Sequence, residues 1–516
     1  MVHRFALLLS LLGCAEEEAT SPSPGARPAA SDALVLQVDY GSEKKAWMED
    51  AVQRFEATSP HLASGKAIDV VTRAAGSGEV MADILAGRAR PHVYSPASAA
   101  YLSLLDQQWL SQPGHTRPLA GAGDPLILSP LVIAMWKPMA EALGWPGKAL
   151  GWKDILAVST DPAGWAAYGH GEWGRMKLGH THPGLSNSGL LAVLAEAYAG
   201  AGKTRGLGAA DLSAPETAAF VQKVEASLVH YGKSTSFLYD KMLSRGPSYV
   251  SAAVIYENQV VDSYSKLTPG SMPLVALYPV EGTFWSDHPY TVLDADWVDA
   301  EHREAAGLLK AFLKAKPQQE LALQYGFRPG DPSVAIAAPL DAAHGVDTAQ
   351  PQTLLELPDG ATLRGVLDLW TANKKTSDVT LVFDRSGSME GEPLAQAKAG
   401  AQAFVDGLSD RDQLSLLFFD SVVGTPSAPI ALSPATRAQV ATTLQGVIAD
   451  GGTALYDAVR VAYQDAMQRA AQHPGAIHAV VVLTDGRDAN SAATLEALTA
   501  DLTSQREAPV KVFTIA

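Results

Sequence analysis

Cysteine is almost absent: Cys14 is the only one in 516 residues, so no disulfide forms within the chain and packing must hold the fold. Basic residues are also in deficit. Lys and Arg number 39 against 55 Asp and Glu, for a formal net charge of -16. A field of that sign repels polyanions and excludes nucleic acid as a partner. It does not exclude a small anion held locally by backbone amides. Long apolar runs are missing too: Phe5 to Leu12 is too short to span a bilayer, and no other segment reads as transmembrane. Two catalytic signatures are lacking. No strand-turn-helix Gly-x-Ser-x-Gly with a later acid and histidine can be assembled around Gly387. The stretch GAGKTRG at Lys203 has neither the spacing nor the preceding strand of a phosphate-binding loop. The sequence therefore predicts a binding protein and not an enzyme.

What is present is a folded composition, 47% hydrophobic, over a length that predicts about two to four domains. His3 and Arg4 precede the short apolar run, as in a secretory signal. Leu11, Leu12, Gly13 and Cys14 then resemble the lipobox of bacterial lipoproteins. That resemblance implies a signal peptide over 1–13, lipidation of Cys14, and export to the cell envelope with a lipid anchor as the sole membrane contact. Residues 14–32, rich in Glu, Ser, Pro and Ala, read as a flexible tether.

From Ala33 onward, β-type apolar runs alternate with amphipathic helical patterns, which predicts α/β architecture. Three helix starts carry hydroxyls: Ser42, Ser77 between Gly76 and Gly78, and the run Ser186, Asn187, Ser188. Each reads equally as an N-cap. Together, helix amides and neutral hydroxyl donors suit an oxyanion. The stretches GSGEVMADILAGRARPHVYSPAS, SPLVIAMWKPMAEALGW, HPGLSNSGLLAV, YPVEGTFWSDHPYTVL and AFLKAKPQQELALQYGFRP give residues 33–330 a resemblance to bacterial extracellular solute-binding proteins, of the kind related to molybdate, sulfate and phosphate receptors. It implies two α/β lobes around a ligand cleft. LILSPLVIAMW would carry the chain into the second lobe, and LVALYPVEGTFW would return it. Ser42 and Ser77 would line the cleft from the first lobe, facing Ser188, Tyr256 and Asn258. Glu257 departs from the pattern, since its carboxylate opposes an anion unless protonated or turned toward a hinge amide. The ligand's identity stays open. His170, His180, His182 and His288 have no metal-ligand spacing and read as surface or loop histidines. Trp152, Trp165, Trp173 and Trp285 read as packing.

Residues 331–375 read as a Pro- and Ala-rich linker followed by an amphipathic helix through Trp370 that docks on one of its neighbours. Strict strand and helix alternation then resumes, predicting a buried parallel sheet with ligands at strand carboxyl ends. DVTLVFDRSGSME puts Asp384, Ser386 and Ser388 at such an end, with Thr453 in DGGTALYDA and Asp485 in LTDGRD at later ones. Hard oxygens of this kind suit Mg²⁺. The ordered set resembles the metal-ion-dependent adhesion site of von Willebrand factor A domains, over residues 376–516. The resemblance implies a doubly wound, Rossmann-like fold. Mg²⁺ (or Mn²⁺) would be held by the hydroxyls of Ser386, Ser388 and Thr453, with Asp384 and Asp485 acting through water, and a protein partner would offer a carboxylate. The family ordinarily continues past a strand like VKVFTIA to a closing helix, so the sequence is expected to be cut short at Ala516. Two functions remain open. One is a tethered adhesion or scaffold lipoprotein whose receptor-like domain senses or supports. The other is the solute receptor of an ABC importer, for a small anion.

Overall fold

The computed structural model describes residues 33–503 and 510–515. The signal, Cys14, the tether and Ala516 lie outside the described residues. What is described falls into two compact units, one ending at Lys374 and the other beginning at Lys375.

The first unit has two lobes. Strands β1 (Leu34–Gly41), β2 (Ile68–Ala75), β3 (Val93–Ser95) and β4 (Asp124–Pro125) belong to the first, and β5 (Ile127–Trp136) crosses out of it. The second lobe adds β6 (Leu178–Thr181), β7 (Leu228–Gly232), β8 (Ala252–Tyr256), β9 (Leu274–Leu277) and β10 (Trp285–Ser286). The chain then returns through β11 (Pro289–Val292), and β12 (Arg328–Pro329) pairs with β5. Strand order is β2-β1-β3-β11-β4 in one sheet and β10-β5-β8-β6-β7 in the other. The crossing falls in LILSPLVIAMW, and the return falls just after LVALYPVEGTFW, between β10 and β11. In the first lobe, Leu36 and Val38 of β1 pack against Trp47, Met48 and Phe55 of the helix Lys45–Ala57 and against Leu309 and Leu313, a sheet face covered by helices as parallel strands require.

The segment read as a linker is tied to this unit. Leu340 and Val346 are buried, Ala276 N donates to Gly345 O (2.8 Å), and Leu355 N donates to Thr283 O (2.9 Å). Asp359 caps the helix Gly360–Asn373 by accepting from Thr362 N (2.8 Å). The helix buries Leu363, Val366 and Trp370 against Ala99–Leu110 of the first lobe and against Asn187–Ala201 and Pro215–Ser227 of the second. It straps the two lobes together.

The second unit is one sheet, ordered β15-β14-β13-β16-β17. Its strands are β13 (Ser377–Asp384), β14 (Gln413–Phe419), β15 (Ile430–Ala431), β16 (Ile477–Leu483) and β17 (Val510–Ile515). All pair in parallel except the short edge strand β15. Alternation along β13 sends Leu381 and Phe383 to a core with Phe404 and Val440, and Val382 to a core with Val459 and Ala462. Both faces are covered, so the middle of β13, Leu381 to Phe383, is apolar without interruption. Its neighbours β14 and β16 diverge in chain order on either side, which opens a crevice at the carboxyl ends of β13 and β16.

Candidate functional site

That crevice receives the motif of β13. Asp384 is the last residue of the strand and wholly buried. Its Oδ1 accepts from Ser386 N (2.7 Å) and its Oδ2 from Thr484 Oγ1 (2.5 Å). Ser386 Oγ lies 3.1 Å from Ser388 Oγ, and Ser388 Oγ donates to Asp485 Oδ1 (3.0 Å). Ser388 and Asp485 are exposed, whereas Asp384 and Ser386 are buried. The set therefore runs from an interior carboxylate to a surface pair. Thr453 arrives on a third loop: its N donates to Asn490 Oδ1 (2.9 Å), and its carbonyl accepts from Ala489 N (2.9 Å) and Asn490 N (3.0 Å). A methyl group placed on Gly486 would sit 3.4 Å from Ser388 Oγ and 3.8 Å from Thr453 Oγ1, so the three loops converge on one spot. Gly387 N donates to Gly451 O (2.9 Å), joining the first and third loops.

The donors are all oxygen, neutral hydroxyls together with carboxylates, and that chemistry fits Mg²⁺ or Mn²⁺. Two residues that sequence reasoning missed hold the arrangement: Thr484, which fixes Asp384, and Asn490, which fixes Thr453. Thr484 stands next to Asp485 in LTDGRD; Asn490 carries no sequence signal. Beside the site, Arg385 pairs with Asp420 (2.7 Å) and, with Val422 and Ile448, lines a shallow pocket. Val422 is 71% and Ile448 77% exposed.

The cleft of the first unit differs from expectation. The helix Ser77–Leu85 does present free amides, but Gly78 N (2.8 Å) and Glu79 N (3.1 Å) donate to the carbonyl of Leu185 in the second lobe. Ser77 Oγ accepts from Ala97 N (3.1 Å). Ser188 Oγ is engaged inside its own lobe by Thr181 (2.8 Å) and Thr235 (3.0 Å), and Tyr256 OH accepts from Asn187 (2.8 Å). Asn258 contacts Ser129 (3.2 Å) and donates to Glu43 O (3.3 Å). Ser42 Oγ is shielded and without a partner. Further bonds cross between lobes, from Tyr101 OH to Pro183 O (2.6 Å), Ser98 Oγ to Asn187 Oδ1 (2.7 Å) and Ser236 Oγ to Ser42 O (3.0 Å). Glu257 turns toward the hinge, where Arg328 holds it at 2.9 and 2.6 Å and Tyr278 OH donates at 2.8 Å.

Next to Ser42 the protein buries a cation of its own. Lys44 is wholly buried, donates to Glu43 Oε1 (3.1 Å) and Pro96 O (3.2 Å), and lies 3.5 Å from His288 Nδ1. Burial pushes the Glu43 carboxyl up, but Lys44 and then His288 outweigh it and hold the group down at about 2. His180, His182 and His288 are all buried, which corrects their reading as surface residues: His180 lies in β6, while His182 and His288 stand in the loops just after β6 and just before β11.

A family model described as bacterial extracellular solute-binding protein matches residues 36–328, and one described as von Willebrand factor type A domain matches residues 378–516. Among curated proteins, an uncharacterized protein of Synechocystis sp. is 31% identical over 114 residues, 22% of this chain and 25% of that protein. Inter-alpha-trypsin inhibitor heavy chain H4 of Homo sapiens is 35% identical over 115 residues, 21% of this chain and 12% of that protein. The chain thus spans a quarter or less of these relatives. Among solved structures, a periplasmic thiamin binding protein aligns with TM-score 0.47 and 13% identity, over 66% of this chain and 96% of that one. The sulfate-binding protein SubI from Mycobacterium tuberculosis H37Rv aligns with TM-score 0.40 and 17% identity, over 58% of this chain and 88% of that one. Among the described residues no helix is long and apolar enough to cross a membrane.

Proposed function

We propose that this chain, which belongs to the bacterial extracellular solute-binding family and carries a von Willebrand factor type A domain, is a lipid-anchored envelope protein that grips a protein partner through a divalent metal. The observation that carries the reading is the convergence of Asp384, Ser386, Ser388 and Asp485 in one hydrogen-bonded set that reaches the surface. Ser386, Ser388 and Thr453 would offer hydroxyls to Mg²⁺ or Mn²⁺, and Asp384 and Asp485 would act mainly through water. When bound, the metal supplies an electrophile for a partner's carboxylate. The exposed Val422 and Ile448 beside Arg385 give that partner apolar contact next to the charged one. The role is binding, with no catalytic step.

In this reading the receptor-like unit is a support. Its helix amides already hold the Leu185 carbonyl, and the helix Gly360–Asn373 spans both lobes. A receptor for an importer would have to release both to admit an anion.

Water-proton relaxation with Mn²⁺ tests the metal site. The full chain should enhance relaxation, a glutamate-bearing peptide should displace metal-bound water and lower the signal, and Asp384→Ala should abolish both. Equal Mn²⁺ binding by the wild type and Asp384→Ala would sink the proposal.

A further inference from the structure

Under the strap helix, three elements bring together side chains that lie far apart in sequence. His180 of β6, Glu196 of the helix Asn187–Ala201 and Glu225 of the helix Pro215–Ser227 are wholly buried, with ligand atoms all within 4.8 Å of one another. His180 Nε2 is 3.0 Å from Glu225 Oε1 and 3.9 Å from Glu196 Oε1. The other ring nitrogen, Nδ1, lies 2.7 Å from the Thr181 carbonyl. A carbonyl only accepts, so Nδ1 carries a proton and Nε2 is the nitrogen turned to the two carboxylates. Glu225 Oε2 accepts from Tyr231 OH and from Trp370 Nε1 (3.0 Å), which leaves Oε1 to face the ring. Glu196 is different. Both its oxygens are sealed from water and neither has a hydrogen-bond partner.

A buried carboxylate without a partner is strongly disfavoured unless something neutralises it. An imidazolium at His180 would answer only one of the two acids. A proton on Glu196 would cancel its charge, yet both its oxygens would still be without a donor. A divalent cation meets every requirement: two positive charges for two carboxylates, a Lewis acid for Nε2, and a ligand for Glu196. The separations of 3.0 and 3.9 Å bracket the roughly 3.3 Å expected between donors lying about 2.0 to 2.1 Å from a tetrahedral ion. An imidazole among the ligands disfavours Mg²⁺ and Ca²⁺, and a compact dry pocket disfavours ions that keep several waters. We infer that His180, Glu196 and Glu225 form a buried zinc site in the second lobe. Tyr231 and Trp370 position Glu225, in the manner of outer-shell donors at metal centres, and through Trp370 the site fastens the strap helix.

The test uses the full chain purified without chelator in excess Mg²⁺, with metal counted by mass spectrometry. About one zinc per chain is expected in the wild type and in Asp384→Ala, and about a tenth of that or less in Glu196→Gln. Keeping Asp384→Ala in the series separates this site from the adhesion site, so either proposal can fail alone. Chelator should lower the unfolding temperature of the wild type and leave Glu196→Gln unmoved. Glutamine mimics a protonated glutamate, so a metal-free cluster predicts the reverse: no zinc, and Glu196→Gln at least as stable as the wild type. Should Glu196→Gln fail to fold, Co²⁺ added to chelator-treated wild type should give the visible bands of a four-coordinate site. Wild type that retains no zinc and takes up neither Zn²⁺ nor Co²⁺ outside the adhesion site overturns the inference.

Discussion

Alanine at Gly78 tests whether the protein's own backbone closes the cleft. A Cβ there would lie 2.3 Å from Gly184 O and 2.7 Å from Tyr101 OH, so helix and loop must part by the better part of an ångström. Parting them breaks Gly78 N to Leu185 O (2.8 Å), Glu79 N to Leu185 O (3.1 Å) and Tyr101 OH to Pro183 O (2.6 Å). At about 1 kcal/mol net for each bond, the loss is about 3 kcal/mol. Replacing helical glycine by alanine returns at most about 1 kcal/mol. The expected net loss is therefore about 2 kcal/mol, read as a lower urea midpoint for the receptor-like unit. Gly307, in the helix Ala300–Lys314, has nothing within 4 Å of its would-be Cβ, so Gly307→Ala supplies the control and should gain up to about 1 kcal/mol. A Gly78→Ala protein within about 0.5 kcal/mol of the wild type would refute the reasoning, since that is the scatter of neutral surface substitutions.

Two further outcomes follow from buried charge. Glu257→Ala leaves Arg328, whose side chain is 6% exposed, with the carbonyls of Thr348 and Asp347 and the face of Trp285 but no carboxylate. Urea unfolding should show a loss of about 3 to 5 kcal/mol, and a loss under about 1 kcal/mol would count against the pair as a hinge element. His288 is pushed down to about 4, burial outweighing the pull of Glu43, while in the unfolded chain it titrates near its ordinary value of about 6.5. Between those values the unfolded chain binds a proton that the folded chain does not, so stability falls as pH drops from about 6.5 to about 4, by on the order of 3 kcal/mol. Glu43, held at about 2, extends the loss below its ordinary pKa. His288→Asn should flatten the upper part of the profile, and an identical profile in that variant would argue against His288 as its source.

The strand-end motif was legible because it is local. One strand end delivers Asp384, Ser386 and Ser388, and the parallel order of β13 and β16 brings Asp485 beside them. What fixes them was less legible, because Asn490 grips Thr453 from 37 residues away with no pattern linking the two. The histidine and glutamate cluster was invisible for the same reason: metal-ligand spacing is sought within one element, and His180, Glu196 and Glu225 come from three.

The cleft residues are engaged in a way the sequence does not show, for a subtler cause. Gly76-Ser77-Gly78 at a helix start looks like an anion cradle, since glycines bare the amides and serine adds a hydroxyl. The same glycines leave room for a second lobe. A Cβ at Gly76 would lie 2.4 Å from Leu185 O, and one at Gly78 would meet Gly184 O, so a side chain at either position would keep the 184–185 backbone away and leave the amides to a ligand. With glycine at both, the Leu185 carbonyl reaches those amides directly and supplies the partial negative charge that an oxyanion would bring. Sequence shows the amides are bare; only the fold shows what covers them. The strap helix then adds its own cost to any opening, because its buried Leu363, Val366 and Trp370 must leave one lobe for the other to swing.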